Sequence, residues 1–248
     1  MTQRSVLPRS HDSGVFSSNF LNLTPFVCSL LVIIVHQHNT LASADSLQGL
    51  LINFFAHGLG TAAVPMFMAI SGYLFFRNAD SCKQVFQKQT KRIATVLAPF
   101  LVWSLLYYGL YAVASVFLPG ITQSPVDISV GGIVRGVIFY EYVFPMWYMF
   151  QLCVYIALTP VIFGILKNKT LATVVLCCMF LLGLSGKGDI TITWSGLERN
   201  LFQGEFFTYF LFGCILSRRE DWEQGLAKLA NRIPWIVAAV SLVAVAFL

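Results

Sequence analysis

Residues 21–39, LNLTPFVCSLLVIIVHQHN, constrain this chain more than any other stretch. From Leu21 to Val35 there is no charge, and the run is dense in Leu, Val and Ile. A helix rises about 1.5 Å per residue, so roughly 20 residues cross a ~30 Å hydrocarbon core. Residues 19–38 supply that length. The polar members Asn22, Pro25, Ser29 and His36 are spaced by 3, 4 and 7, which at ~100° per residue gathers them on one face. A polar stripe facing lipid is costly, so this one is expected to face the interior of a bundle. An imidazole there is the chain's first candidate for chemistry, because a neutral histidine within reach of a hydroxyl is a general base. The competing reading is a helix-end histidine wetted by the interface. His38 stands on a different face and reads as interfacial.

Apolar residues make up 57% of the chain and charged residues 11%, outside the range of soluble globular domains. The expected fold class is all-α, a polytopic transmembrane bundle of about seven helices in the lipid bilayer. The net charge of +5 is compatible with nucleic acid, but the basic residues lie between apolar runs, where they orient helices, so no nucleic-acid partner is expected. With the N-terminus inside, the inner segments carry Arg4, Arg9, Arg77, Lys83, Lys88, Lys91, Arg92, Lys167, Lys169, Arg218, Arg219, Lys228 and Arg232. The outer segments carry only Arg135, Lys187 and Arg199. This bias points to a multi-pass inner (plasma) membrane protein with a cytoplasmic N-terminus and with His36 toward the outer half. The six cysteines show no C-x-x-C spacing and read as packing residues, so neither a metal site nor a disulfide framework is expected. Arg4 and Arg9, the apolar run and Ala42-Ser43-Ala44 imitate a signal peptide. The run exceeds a usual h-region and His36–Asn39 intervene, so a retained first helix is expected.

Residues 1–18 read as a cytoplasmic tail and 19–248 as one membrane domain. Helices are expected over 19–38, 57–76, 94–117, 144–166, 170–185 and 201–217. A seventh starts near Ile233 and is still apolar at Leu248, so the chain is expected to continue. LLINFFAHG (50–58) and part of 119–143 are candidate interfacial or re-entrant helices.

Other stretches carry more than one reading. Gly58, Gly60, Ala62 and Ala63 suit close helix approach, Pro65 frees a carbonyl, and Ser71-Gly72 place a hydroxyl and a gap deep in the second helix. Lys88, Lys91 and Arg92 serve either as positive-inside anchors or as a clamp for a phosphorylated cytosolic donor. Phe144-Pro145-Met146-Trp147-Tyr148 reads by default as an aromatic belt, with Glu141 and Glu205 near helix ends.

In order and spacing, these pieces resemble the acyltransferase-3 family of membrane-bound acyltransferases, which includes bacterial polysaccharide O-acetyltransferases. The matching pieces are LLVIIVH (30–36), VPMFMAISGYLFF (64–76), KRIATVLAPFLVW (91–103), MWYMFQL (146–152) and YFLFG (209–213). VPMFMAISGYL is the most specific of them. The resemblance implies about ten helices. It also implies transfer of an acyl group, usually acetyl from acetyl-CoA, to a hydroxyl of an extracytoplasmic carbohydrate or glycolipid. His36 takes the position of the family's catalytic histidine. Lys88, Lys91 and Arg92 are then donor-binding candidates, and Ser71 and Trp147 cavity-lining ones. Two positions depart from the family pattern. Pro25 stands where an arginine is usual, and Lys88-x-x-Lys91 replaces an Arg-x-x-Arg, keeping charge but losing the bidentate fork. The rival readings are a non-catalytic transporter or assembly subunit handling polysaccharide or lipid, and a degenerate, inactive family member. The absence of charge inside the first five expected helices and of an internal repeat disfavours the transporter.

Overall fold

The computed structural model describes residues 18–37, 60–118, 126–194 and 196–219, with single positions up to Lys228. Most of the tail 1–18, the segment 50–58 and the apolar run from Ile233 lie outside the described residues. The chain is mostly helical. Helix α1 is Ser18–Gln37; a 3₁₀ turn, Gly60–Ala62, leads into α2, Ala63–Phe76; α3 is Cys82–Phe117. Helix α4, Val130–Ile133, continues as a π-helical turn, Val134–Ile138, and a second 3₁₀ turn, Phe144–Met146, opens α5, Trp147–Ala157. Then come α6, Thr159–Leu166; α7, Lys169–Leu184; strands β1, Ile190–Trp194, and β2, Leu197–Phe202; and α8, Gly204–Leu216.

The third helix starts a dozen residues earlier than its apolar run. Ser81 and Gln84 form a capping box: the Ser81 hydroxyl accepts from Gln84 N at 3.3 Å, and Gln84 Oε1 accepts from Ser81 N at 3.1 Å. At 36 residues, α3 is about 54 Å long, well beyond a ~30 Å hydrocarbon core. Among the described residues, α3 is the single helix long and apolar enough to cross a membrane, and Phe144–Ala157 with Thr159–Leu166 meets the same test only when the bent pair is taken as one span. The stretch 144–166, expected as one helix, is two, bent by 54° at Leu158. Pro160 has no N–H and leaves the Ile156 carbonyl without its helical partner. Thr159 Oγ1 donates to that carbonyl at 2.7 Å, and Gln89 Nε2 donates to Ile156 O at 3.1 Å and Ala157 O at 3.0 Å. The break is therefore capped from α3.

The core lies where α2, α5, α6 and α8 meet, with Met68, Phe75, Phe76, Tyr155, Ile156, Ile162, Phe210 and Ile215 buried together. The α2–α8 seam is the most extensive helix contact, and two glycines make it possible. A Cβ on Gly72 would lie 2.1 Å from the Phe210 carbonyl oxygen, and one on Gly213 would lie 1.9 Å from that of Ala69. The ISG and YFLFG motifs thus interlock, backbone against backbone. Of the small residues expected to serve this role, Gly60 and Ala63 are buried and Ala62 is exposed, while Gly58 lies outside the described residues. Pro65 stands in the first turn of α2, where the N–H has no helical partner to lose.

The all-α expectation holds for most of the described chain. Between the helices expected over 170–185 and 201–217, where the sequence reading places no element, β1 and β2 form an antiparallel hairpin that takes in Leu201 and Phe202. It is tied down by Gln151 of α5, fully buried, whose Nε2 donates to Asn200 O at 2.7 Å while Oε1 accepts from Gln203 N at 3.2 Å. The Tyr155 hydroxyl donates to Gln203 O at 2.6 Å.

The bundle has two ends. The C-termini of α2, α6 and α8 and the N-termini of α3 and α7 share one, with Arg77, Lys83, Lys88, Lys91, Arg92, Lys167, Lys169, Arg218 and Arg219. The hairpin and the N-termini of α5 and α8 share the other, with Arg135, Lys187 and Arg199.

Candidate active site

Two of the five sequence pieces, VPMFMAISGYLFF and MWYMFQL, meet at one polar contact. Ser71 of α2 hydrogen-bonds the Tyr148 hydroxyl of α5 through its side chain. The Phe67 ring, one turn earlier on α2, lies 5.7 Å from that of Tyr148. Trp147 packs on Phe206 of α8 at 5.0 Å between ring centroids, so it anchors α5 to α8 rather than standing free in a belt. On α1, Thr24 and Cys28 are buried and belong to the face turned to α2. Cys28 is close enough to Tyr148 to act on it electrostatically. Ser71 also lines a cavity of about 60 Å³ with Leu74, Phe75, Arg92, Leu152 and Phe210. That volume corresponds to about two water molecules at liquid density. Ser71 of α2 and the exposed Arg92 of α3 thus border one small space between the helices.

At the basic end the cations divide by task. Lys88 Nζ donates to Phe75 O at 3.1 Å and to Arg77 O, capping the end of α2, where orphan carbonyls attract a cation. Burial, then the Arg92 and Arg218 charges, push its pKa down, with Asp80 opposing. Arg218 pairs with Asp80 at 2.7 Å and also reaches the Ala79 carbonyl. Arg219 Nη2 donates to Lys169 O at 2.7 Å and Thr173 Oγ1 at 2.9 Å. The Lys91 and Arg92 side chains have no hydrogen-bond partner among the described residues, and both are exposed. Of the three donor-side residues read from sequence, Arg92 reaches the cavity, Lys91 stands at the surface, and Lys88 is a helix cap.

His36 lies in the last turn of α1; its side chain is outside the described ones. Of the polar stripe to which it belongs, only Pro25 and Ser29 have described side chains, and Pro25 is half-buried. Ser29 is exposed and donates to Pro25 O at 2.9 Å, while Thr24 and Cys28, about a quarter-turn away, take the buried side. The expectation that this stripe faces the interior is corrected at Ser29; the side chains of Asn22 and His36 lie outside the described ones. Pro25 itself stands inside α1.

Sequence reasoning passed over Tyr148 and Gln89. Tyr148 sits in the quoted MWYMFQL piece but its aromatic-belt character masked a hydroxyl aimed inward. Gln89 sits between the basic residues, where only charge was counted.

A helical bundle with an interior polar contact between helices, opening toward a cationic end, defines the class: a mostly helical protein with a chemically equipped core. The acyltransferase-3 family model, an acyltransferase domain, matches residues 19–248. The chain belongs to this acyltransferase family. No curated protein and no solved structure matches it.

Proposed function

We propose that the chain is a multi-pass inner-membrane acyltransferase, with the basic end cytoplasmic and the hairpin end extracytoplasmic. The donor is acyl-CoA, most simply acetyl-CoA, and the acceptor is a hydroxyl of an extracytoplasmic carbohydrate or glycolipid. Arg92 and Lys91 meet the donor phosphates at the basic end, and Lys88 holds the end of α2 beside them. His36, as general base, takes the proton of the acceptor hydroxyl. The oxygen attacks the thioester carbonyl, and coenzyme A leaves as the thiol once protonated. Ser71 and Tyr148 line the route between the two sides, and Trp147 fixes the start of α5.

One observation carries this reading. Ser71, inside the most specific motif, and Arg92, at the mouth of the basic segment, line the same cavity. That arrangement connects a cationic surface suited to phosphate with the interior of the family's signature helices. The exposed apolar face of α3, including Val102, Leu105, Val113, Val116 and Phe117, supports membrane placement.

Calorimetric titration of coenzyme A into the purified chain in detergent tests the donor side. Arg92→Met is expected to weaken binding by about tenfold, the effect of losing ~1.4 kcal/mol. Lys88→Met is expected to leave affinity unchanged. Equal affinity for parent and Arg92→Met would remove the donor from this end.

A further inference from the structure

The chain holds a second, larger cavity that the proposed chemistry does not use. Helices α7 and α8 are pinned together at the hairpin end, where a Cβ on Gly183 would lie 3.2 Å from Glu205 Cα and one on Gly204 would lie 2.6 Å from the Gly188 carbonyl oxygen. Away from that pin they leave a groove of about 640 Å³ between Leu176, Cys177, Phe180, Thr208, Tyr209 and Phe212. The wall of this groove is apolar, and the Thr208 hydroxyl is turned to its own helix, where Oγ1 donates to Gly204 O at 2.8 Å. A second cavity of about 250 Å³ shares Phe180, Thr208 and Tyr209 with it and extends to Glu205. The two adjoin along those shared residues: the larger is apolar, and the smaller has the exposed Glu205 in its wall at the hairpin end.

We propose that this groove binds the chain of a single lipid from the leaflet on the hairpin side, with an uncharged, hydroxylated head group donating to Glu205. This rests on the membrane placement proposed above. Size, wall chemistry and end group select the occupant together. The volume falls within the ~300–1,000 Å³ of ordinary ligand pockets. An apolar wall accepts a hydrocarbon chain and disfavours a group that needs hydrogen bonds. The carboxylate repels a phosphate head and accepts hydrogen bonds from hydroxyls. The seven residues from Glu205 to Phe212 place the tail end of the groove about 10 Å deeper than the head, the orientation of a lipid in that leaflet.

The test uses the full chain in phosphatidylcholine vesicles and two photoreactive probes with a diazirine in the same alkyl chain, one an alkyl glucoside and one an alkyl phosphate. Labelled positions are mapped by peptide mass spectrometry. Saturable labelling of segments 176–181 and 208–212 by the glucoside is expected, competed by unlabelled alkyl glucoside and about tenfold weaker with the phosphate probe. Glu205→Leu is expected to abolish that head-group preference, and Cys177→Trp, at an exposed position, to abolish the labelling itself. Unsaturable labelling of the groove, no stronger than on the exposed face of α3, would show bulk lipid and overturn the proposal. Labelling of α3 with none in the groove would overturn it while leaving the membrane placement standing. Labelling of neither would overturn both. Saturable labelling that is equal for the two probes would overturn the role of Glu205.

Discussion

The α2–α8 seam and helix α1 carry the family's two most telling pieces, and they are built in opposite ways. The seam is locked by Gly72 and Gly213, each against the partner's backbone, and surrounded by Met68, Phe75, Phe210 and Ile215 at almost no exposure. Helix α1 presses a narrow face, Thr24 and Cys28, on the seam and turns Leu23, Phe26, Leu30 and Ile33 outward. A locked seam fixes where Ser71 and the start of α5 stand. A lightly held helix keeps its own shape by local means, such as the Ser29 hydroxyl on the Pro25 carbonyl. The signature motif is therefore a packing device first, and the histidine helix is docked onto it.

Substitutions at the two regions should separate accordingly. Gly213→Leu has no room, because even a methyl group would enter the Ala69 carbonyl. It is expected to abolish the folded protein, read as loss of the monodisperse peak in detergent. Gly72→Ala meets the Phe210 carbonyl in the same way and is expected to cost about 3 kcal/mol or more, seen in the thermal midpoint. Gln151→Leu leaves the Asn200 carbonyl and Gln203 N–H buried without partners, a cost of about 1–3 kcal/mol. Hydrogen exchange should show faster exchange confined to β2 and the start of α8. Ser29→Ala on α1 removes one exposed local bond and is expected to stay within about 0.5 kcal/mol of the parent. A Ser29→Ala cost matching that of Gly72→Ala would erase the contrast.

Lys88 sharpens the contrast through pH. Its folded pKa is lowered by burial and by Arg92 and Arg218, so the folded chain holds that proton less tightly than the unfolded one. Its contribution to stability is fully present above the usual lysine value of 10.5 and is lost as pH falls through the lowered folded value. The stability difference between parent and Lys88→Met, measured by denaturant unfolding, should therefore shift in the parent's favour as pH rises toward 10.5. A pH-independent difference would mean that folding neither buries the Lys88 ammonium nor brings it under the Arg92 and Arg218 charges.

Much of this architecture is legible in the sequence, because apolar length and basic punctuation set the helix order. The misses have physical causes. The run 144–166 is apolar throughout, so hydropathy hid the break that Pro160 imposes. The hairpin was written as alternating Ile-Thr-Ile-Thr-Trp ahead of Gly196, a period-2 pattern, but a helical composition drew attention away from it. Lys88 could not be told from Lys91 by spacing, since the carbonyls that it caps belong to the preceding helix. Ser71 was found through its place in a motif, whereas Tyr148, its partner, reads as one aromatic among many.

Transfer of labelled acetyl from acetyl-CoA into envelope glycans, followed in membranes carrying the parent or His36→Ala, tests the central claim most directly. The account expects transfer by the parent and a loss of about 10²–10⁴-fold in His36→Ala, with the protein level of the variant unchanged. Undiminished transfer by His36→Ala would contradict the assignment of the base, and no transfer by a folded parent offered a broad acceptor pool would contradict the proposed activity itself.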